Sequence, residues 1–210
     1  MTTAVESLPE KSHDLEVISL IGFVHGVSHF FHLLLPPLFP WLMRDFGLSF
    51  TGIGATMTIF FVISAVGQAL AGFFVDRFGA ARVLAGGIFC FLLAALLLAV
   101  VDGYLGLTLV AGLAGLGNSV FHPADFTVLN RHVSPPRLGH AFSIHGLSGN
   151  LGWALAPVFM TGIAATAGWR VAALAAAGIA ALALLLVFWR RRTLADPPAS
   201  LQATDRKSVV

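Results

Sequence analysis

Charged residues are scarce in this chain of 210 residues, and long stretches contain no formal charge at all. Asp, Glu, Lys and Arg make up 10% of the sequence, whereas a soluble domain carries about 25%. So few charges cannot cover a globular surface with solvated side chains, which excludes a water-soluble fold. With 57% hydrophobic residues and a mean hydropathy of +0.88, the folded chain is expected to be covered mostly by lipid.

Cysteine pairs and clustered basic charge are also missing. Cys90 is the only cysteine and lies in an apolar run, which excludes an intramolecular disulfide. The basic residues are scattered over loops instead of forming one face, so we expect no nucleic-acid partner. The first 16 residues hold four acids and one lysine, unlike the basic start of a cleavable signal peptide. We therefore expect the first apolar segment to serve as an uncleaved anchor.

Six long apolar segments are what the chain does contain. Each is long enough to cross a bilayer as a helix, which takes about 20 residues. We predict an all-α membrane protein with six spans near 17–42, 50–75, 82–101, 104–130, 138–166 and 169–189. The first span contains Pro36, Pro37 and Pro40, so it should kink or end early. The predicted parts are a cytoplasmic N-terminal tail, a transmembrane bundle and a cytoplasmic linker or tail: 1–16, 17–189 and 190–210.

The distribution of basic residues predicts the orientation of the spans. With the N-terminus inside, the outer loops hold only Arg44 and Arg170. The inner segments then hold eight basic residues: Lys11, Arg77, Arg82, Arg131, Arg137, Arg190, Arg191 and Arg192. Cytoplasmic loops carry an excess of Lys and Arg, so both termini are predicted to be cytoplasmic.

A faint internal repeat of roughly 90 residues relates the first three spans to the last three. The matching segments are 26–30 with 117–121, 46–48 with 138–140, and 79–83 with 168–171. Because three is an odd number, the second copy must insert upside down. We therefore predict a 3+3 inverted repeat, which occurs within each half of some transporters.

A short charged turn lies between the second and third spans and reads Gly72-Phe-Phe-Val-Asp76-Arg77-Phe-Gly79-Ala-Ala-Arg82. The spelling G-x-x-x-D-R-x-G-x-x-R between two spans resembles the signature loop of the major facilitator superfamily. The resemblance implies a solute transporter in which this loop packs against a second half and helps to lock one conformation. It also implies that Gly72 permits close helix approach and that the charged side chains form a breakable latch. Alternatively, Arg77 and Arg82 serve only to retain the loop in the cytoplasm, and Asp76 has no part in this role.

Polar side chains recur at helical spacing within the spans. His25, His29 and His32 lie at i, i+4 and i+7, which is one helix face, and Asn118, His122 and Asp125 share this spacing. Such side chains face a bundle interior or a water-filled cavity. The candidate residues for a solute or proton pathway are His25, His29, His32, Gln68, Asn118, His122, Asp125, His145 and Asn150.

Asp125 is the only acid that the sequence places clearly inside a span, and two interpretations of it remain open. It could carry a coupling proton, or it could pair with Arg77 or Arg82, which should lie at a similar depth. We favour the ion pair. Gly79, at the end of the second span, is expected to adopt a left-handed conformation and stop the helix.

The fifth span contains small residues that let helices approach closely, namely Gly146, Gly149, Gly152 and Pro157. This stretch resembles a loose form of the glycine/proline motif of antiporters in the superfamily. Many drug–proton antiporters carry an arginine in the fourth span, and the matching position here is Ala111. Any proton coupling would therefore have to use a histidine or Asp125.

The resemblance extends from His25 to Arg170 and points to bacterial facilitator transporters that are distantly similar to the fosmidomycin-resistance exporters. Proteins of this superfamily have two six-span halves with the solute between them. We therefore expect a second six-helix half as partner, besides the lipid bilayer and a small solute. Residues 205–210 resemble the translation of a common sequencing adapter, which suggests a truncated gene product. The alternative is a half-size transporter that works as a dimer.

Enzymes are the rival classes. Gly146-Leu-Ser148-Gly149 resembles a rhomboid-protease motif, but no histidine follows His145 to act as base. His25-xxx-His29-xx-His32 resembles one histidine box of a di-iron oxidase, but the other histidines are single and dispersed. We therefore predict no enzyme, no cofactor and no metal, and instead a secondary transporter of the bacterial inner membrane. A channel-like or non-transporting six-helix protein is the alternative.

Overall fold

The computed structural model describes residues 8–194, which are almost entirely helical and contain no strand. The α-helices are α1 (Leu8–His32), α2 (Phe39–Phe46), α3 (Phe50–Phe78), α4 (Ala80–Val100), α5 (Tyr104–Asn118), α6 (Phe121–His132), α7 (Leu138–Ala167) and α8 (Trp169–Trp189). Short 3₁₀ helices cover Pro36–Leu38 and Pro135–Arg137. The start of the predicted N-terminal tail, most of the predicted linker and the adapter-like end lie outside the described residues.

The described residues form six stretches that are long and apolar enough to cross a membrane, so the predicted six-span fold is confirmed. They are Lys11–Phe46, Phe50–Phe78, Ala80–Val100, Tyr104–His132, Pro135–Ala167 and Trp169–Trp189. Large apolar side chains such as Phe61, Leu109 and Leu185 point outward and are exposed. A bundle with such a surface requires lipid as its solvent, because a water-soluble protein does not expose so much apolar area.

Proline explains why two of the spans are interrupted. The first span breaks between α1 and α2, where the backbone of Pro36–Leu38 forms a 3₁₀ turn, as the proline cluster predicted. The fourth span breaks between Asn118 and Phe121, which the sequence analysis missed. Pro123 causes this break, because its ring clashes with the carbonyl four residues earlier, at Ser119.

Two glycines make single-residue corners at equivalent places of the repeat. Gly79 joins α3 to α4 with φ +84°, and Gly168 joins α7 to α8 with φ +91°. These values lie in the left-handed region, where residues with a side chain are strained. The predicted helix stop at Gly79 is therefore present, and its counterpart follows the fifth span.

Helix packing has the symmetry expected of a 3+3 repeat. The first span packs against the fifth through α1 and α7, and the second packs against the fourth through α3 and α5. Exchanging the first three spans for the last three converts one of these contacts into the other. The third and sixth spans, α4 and α8, pack against each other. The repeat exchanges these two spans, so their contact is its own symmetry equivalent.

Close helix crossings occur at glycines. A side chain at Gly152 of α7 would collide with the carbonyl oxygen of Gly26 in α1, and one at Gly115 of α5 would collide with the carbonyl of Phe60 in α3. These are the two symmetry-related crossings. Gly146 differs from Gly152, because the space around its Cβ position is open, so it makes no close approach within the described bundle.

Polar contacts tie the start of α1 to one end of the bundle. Asp14 is buried and accepts hydrogen bonds from the backbone N–H, at 3.2 Å, and the hydroxyl of Ser134. Glu16 accepts from the Arg190 guanidinium at 2.7 Å and from the Thr193 hydroxyl at 2.8 Å. Because α1 begins at Leu8, both partnered acids lie within the helix, before the apolar run that marked the predicted span.

The opposite end of the bundle carries a smaller set of polar contacts. The Trp169 indole donates to Asp45 at 2.8 Å, and the Arg170 guanidinium donates to the Val101 carbonyl at 3.0 Å. These contacts join the end of the first span and the residue after the third span to the start of the sixth span.

Candidate solute and proton site

A cluster of polar side chains lies between α1, α6 and α7, inside an otherwise apolar bundle. We define this histidine cluster by five residues: His25, His29, His122, Asp125 and His145. It combines the histidine face of α1 with side chains that are about 100 and 120 residues away in the chain. The helix crossing at Gly152 brings α7 close enough to α1 to build it.

Asp125 is the centre of the histidine cluster. The carboxylate is completely buried, and its Oδ2 accepts from His25 Nδ1 at 3.2 Å and from His145 Nε2 at 3.1 Å. Oδ1 is buried and has no hydrogen-bond partner among the described residues. The acid therefore joins α1, α6 and α7 and keeps one oxygen free for a proton, water or ion.

The expected ion pair of Asp125 with Arg77 or Arg82 is wrong. Both arginines are exposed at the turn between α3 and α4, whereas Asp125 faces inward from α6 toward the two histidines. The expectation assumed that Asp125 and the two arginines lie at a similar depth in the bilayer. The Asp125 side chain instead points into the bundle, so it cannot reach arginines on the exposed turn.

The imidazole rings of the histidine cluster pack tightly on one another. The rings of His25 and His145 stack with centroids 3.4 Å apart, and the His122 ring lies 5.3 Å from that of His25. One ring nitrogen from each of these three histidines lies within 4.8 Å of the other two. The histidines that are dispersed in the sequence thus converge in space, and their arrangement could hold a metal ion.

His29 lies at the edge of the histidine cluster, beside α7. Its two ring nitrogens are buried and have no hydrogen-bond partner among the described residues. The absence of a side chain at Gly149 makes room for it, because a Cβ there would lie 2.9 Å from His29 Nδ1 and from His25 Nε2. Buried polar atoms without partners are uncommon in folded proteins, so this position suits a ligand or water.

A second polar group, the amide chain, continues from the histidine cluster along α1. We define it by Trp153, His32, Asn118 and Ser64. The Trp153 indole N–H donates to His32 Nδ1 at 3.2 Å, and His32 Nε2 contacts Asn118 Oδ1. Asn118 Nδ2 in turn donates to the Ser64 hydroxyl at 2.6 Å.

The amide chain has a defined direction. An indole N–H can only donate, so His32 Nδ1 is the acceptor and His32 Nε2 carries the proton that Asn118 accepts. His32 is therefore satisfied as a neutral imidazole, whereas Asp125 and His29 keep unsatisfied atoms. His32 thus belongs to a hydrogen-bonded, structural group, whereas Asp125 and His29 belong to a group that can exchange protons or ligands.

Sequence reasoning missed two members of the amide chain, Ser64 and Trp153. Ser64 is a buried hydroxyl in the apolar second span, and Trp153 directly follows the crossing glycine of α7. Neither has a neighbour in the sequence that would mark it, because the partners come from other helices. Gln68 and Asn150 remain predictions: both are exposed, and no hydrogen bond joins them to the rest of the described chain.

The predicted gate residues form an exposed turn at the end of α3. Asp76, Arg77 and Arg82 are exposed, and no ion pair joins them within the described residues. Arg82 donates to the Phe78 carbonyl at 3.4 Å. Gly72 is exposed with open space around its Cβ position, so the close approach expected there does not occur within these six helices. The latch stays a prediction that concerns a second bundle.

The fold and the buried polar site together are typical of the six-helix bundles from which many membrane transporters are built. Six spans in a 3+3 repeat enclose polar side chains within the bundle, and such transporters place solute and ion sites between their spans. The chain belongs to the Major Facilitator Superfamily, whose family model matches residues 18–209.

Curated relatives support this membership. The chain is 33% identical over 143 residues to the fosmidomycin resistance protein of Escherichia coli (strain K12), covering 68% of this chain and 35% of that protein. It is 30% identical over 159 residues to a probable 4-methylmuconolactone transporter of Cupriavidus pinatubonensis, covering 76% of this chain and 37% of the relative. The matched region thus spans about a third of the length of these relatives.

Solved structures share the fold. A peptide transporter in complex with sulfate superposes on 92% of this chain and 43% of its own, with a TM-score of 0.77 and 19% identity. A proton:xylose symporter bound to 6-bromo-6-deoxy-D-glucose covers 85% of this chain and 45% of its own, with a TM-score of 0.77 and 14% identity. The six helices therefore have the arrangement of about half of such a transporter.

Proposed function

We propose that this chain forms one six-helix bundle of a secondary active transporter that moves a small solute by alternating access and does not transform it chemically. The observation that carries the proposal is the buried cluster around Asp125, built from α1, α6 and α7. Polar and ionisable side chains are costly inside a membrane and mark solute or ion pathways there. A structural role alone would not explain why His29 and Asp125 keep buried atoms without partners.

Proton coupling through Asp125 is part of the proposal. An ionised Asp125 is stabilised by two N–H donors, from His25 and His145. Protonation of the carboxyl, or of one imidazole, would rearrange these bonds and change the polarity that a solute meets.

A second six-helix bundle would complete the solute path. It could be supplied by a continuation of the same chain or by another subunit, including a second copy. Among the described spans, Phe50–Phe78 and Pro135–Ala167 are the least buried within the bundle, which supports such an interface along α3 and α7. Asp76, Arg77 and Arg82 would then act as the charged latch between the two bundles.

We further propose that both termini face the cytoplasm of a bacterial inner membrane. Contacts of Asp14 with Ser134, and of Glu16 with Arg190, join the start of the chain to the segments that carry most of the basic residues. The arginine-poor end, with Arg44 and Arg170, would face outward. Excess basic charge on the inner side supports this orientation.

Transport by the protein that contains this bundle tests the proposal. Fosmidomycin and 4-methylmuconolactone, which the relatives' names suggest, serve as first probes within a metabolite panel in reconstituted vesicles. We expect at least one solute to show saturable uptake and counterflow, in which unlabelled solute preloaded inside the vesicles accelerates the entry of labelled solute. Flux that rises linearly with concentration and shows no counterflow would indicate a channel and contradict the proposal.

A further inference from the structure

Three imidazoles from three different helices meet in the histidine cluster. They belong to His25 on α1, His122 on α6 and His145 on α7, and one ring nitrogen of each lies within 4.8 Å of the other two. We propose that these three histidines bind a divalent transition-metal ion, with Zn²⁺ as the representative ion. Imidazole nitrogens suit Zn²⁺, Ni²⁺ and Cu²⁺, and three-histidine sites hold Zn²⁺ with a fourth position open. This site goes beyond the proposed transport function and does not depend on it.

The three side chains must rotate to bring their ring nitrogens, now within 4.8 Å of one another, to coordination distance. Zinc–nitrogen bonds of about 2.0–2.1 Å place the nitrogens of a tetrahedral site about 3.4 Å apart. The rings of His25 and His145 stack face to face, so they must turn before both lone pairs point at one ion, and the His122 ring is 5.3 and 6.0 Å from them. His122 is only half-buried, and its buried Nδ1 has no hydrogen-bond partner among the described residues. Rotation of the His122 side chain, together with the turn of His25 and His145, would close the site.

Asp125 prepares two of the ligands. Metal-bound histidines usually donate their second ring N–H to a carboxylate, which fixes the tautomer and the ring orientation. Asp125 Oδ2 accepts from His25 Nδ1 and from His145 Nε2. In a neutral imidazole the other nitrogen then carries a lone pair, so both histidines present a free ligand atom.

Two further buried groups, His29 and Asp125 Oδ1, are candidates for a fourth ligand. His29 has two buried ring nitrogens without partners, and its ring centroid lies 4.4 Å from that of His25 and 6.1 Å from that of His122. Asp125 Oδ1 is likewise buried and without a partner. A bound ion would provide a partner for buried polar atoms that the surrounding protein leaves without hydrogen bonds. If these side chains only filled space in the bundle, the same atoms would stay unsatisfied.

Equilibrium metal binding to the purified chain in detergent tests the inference without any transport assay. The chain is stripped of metal and titrated with Zn²⁺ in competition with a chromogenic chelator. We expect one ion per chain and a loss of affinity of at least tenfold in His122→Ala. Asp125→Asn should weaken binding about 10–100-fold, because it removes the carboxylate that orients two ligands.

Matched controls separate a site from nonspecific histidine binding. His140→Ala removes an exposed histidine of α7 and should leave the affinity unchanged. His122 makes no hydrogen bond among the described residues through Nδ1, so His122→Ala should keep the helical circular dichroism of the wild type. Zn²⁺ should raise the melting temperature of the wild type and of His140→Ala, but not that of His122→Ala.

Cobalt supplies an independent measurement. Co²⁺ bound by three imidazoles should show the intense visible absorption of a four-coordinate ion, and Zn²⁺ should displace it. Equal Zn²⁺ affinity in the wild type and His122→Ala, or a Co²⁺ spectrum like that of the aqueous ion, would overturn the inference. Either result would leave the transport proposal standing, because a proton-binding cluster requires no metal.

Discussion

The crossing of α1 and α7 permits a sharp test, because it depends on one missing side chain. A Cβ at position 152 would overlap the carbonyl oxygen of Gly26 and lie 3.0 Å from its carbonyl carbon and from the Phe30 nitrogen. All three atoms belong to the backbone, so no side-chain rotation can relieve the overlap. Gly152→Ala must therefore separate the two helices by about 1 Å to restore ordinary carbon contacts.

The magnitude follows from two opposing effects. Overpacking of a tight interior costs about 1–3 kcal/mol, and rigid backbone neighbours place this site near the upper limit. Alanine regains about 1 kcal/mol over glycine in a helix interior. We expect Gly152→Ala to lose about 2 kcal/mol of stability in total. Gly146→Ala is the matched control on the same helix; it meets open space and should gain up to about 1 kcal/mol.

Reversible unfolding in mixed micelles measures the difference. Helicity is followed by circular dichroism while the mole fraction of a denaturing detergent is raised, and the two variants are compared with the wild type. The midpoints should fall on opposite sides of the wild-type value, separated by about 3 kcal/mol in unfolding free energy. Equal midpoints for the two variants would refute the close crossing of α1 and α7.

Three further predictions address the amide chain, the latch and the orientation. Asn118→Leu leaves its two hydrogen-bond partners unsatisfied and should reduce the free energy of unfolding by about 2 kcal/mol or more in the same assay. Ser64→Ala should reduce it by about half as much. Equal, negligible effects of the two substitutions would contradict the amide chain. Asp76→Asn should slow transport by the complete transporter without reducing its membrane insertion, and unchanged rates in vesicles would argue against a latch. In single-cysteine variants of intact cells, an impermeant thiol reagent should label Asp102→Cys and not Arg191→Cys; the reverse pattern would invert the proposed topology.

The sequence predicted those features that depend on local chemistry. Apolar runs of bilayer length predicted six spans, and the need for φ > 0 at the corner predicted the helix stop at Gly79, which has φ +84°. The histidine spacing on α1 predicted a polar face, since spacing alone decides which residues share a helix face. The repeat was detectable because both of its copies use glycine at equivalent corners.

Contacts between helices were beyond the reach of sequence patterns. Gly146, Gly149 and Gly152 look equivalent in the sequence, yet successive steps of three residues rotate them around α7, and only the last two face α1. The partner of Asp125 was mistaken for the same reason, because depth can be estimated from the sequence and direction cannot. The convergence of His122 and His145 on His25 likewise depends on how α6 and α7 pack against α1.

Solute-driven proton movement across the membrane of reconstituted vesicles is the most direct test of the central claim. That claim is that the buried cluster around Asp125 couples transport to protons. The comparison is between the wild type, Asp125→Asn, and Asp102→Asn, which changes an exposed loop acid. We predict that addition of a transported solute acidifies or alkalinises the lumen in the wild type and Asp102→Asn, and that Asp125→Asn retains solute counterflow but moves no protons. Undiminished proton movement in Asp125→Asn would contradict the account.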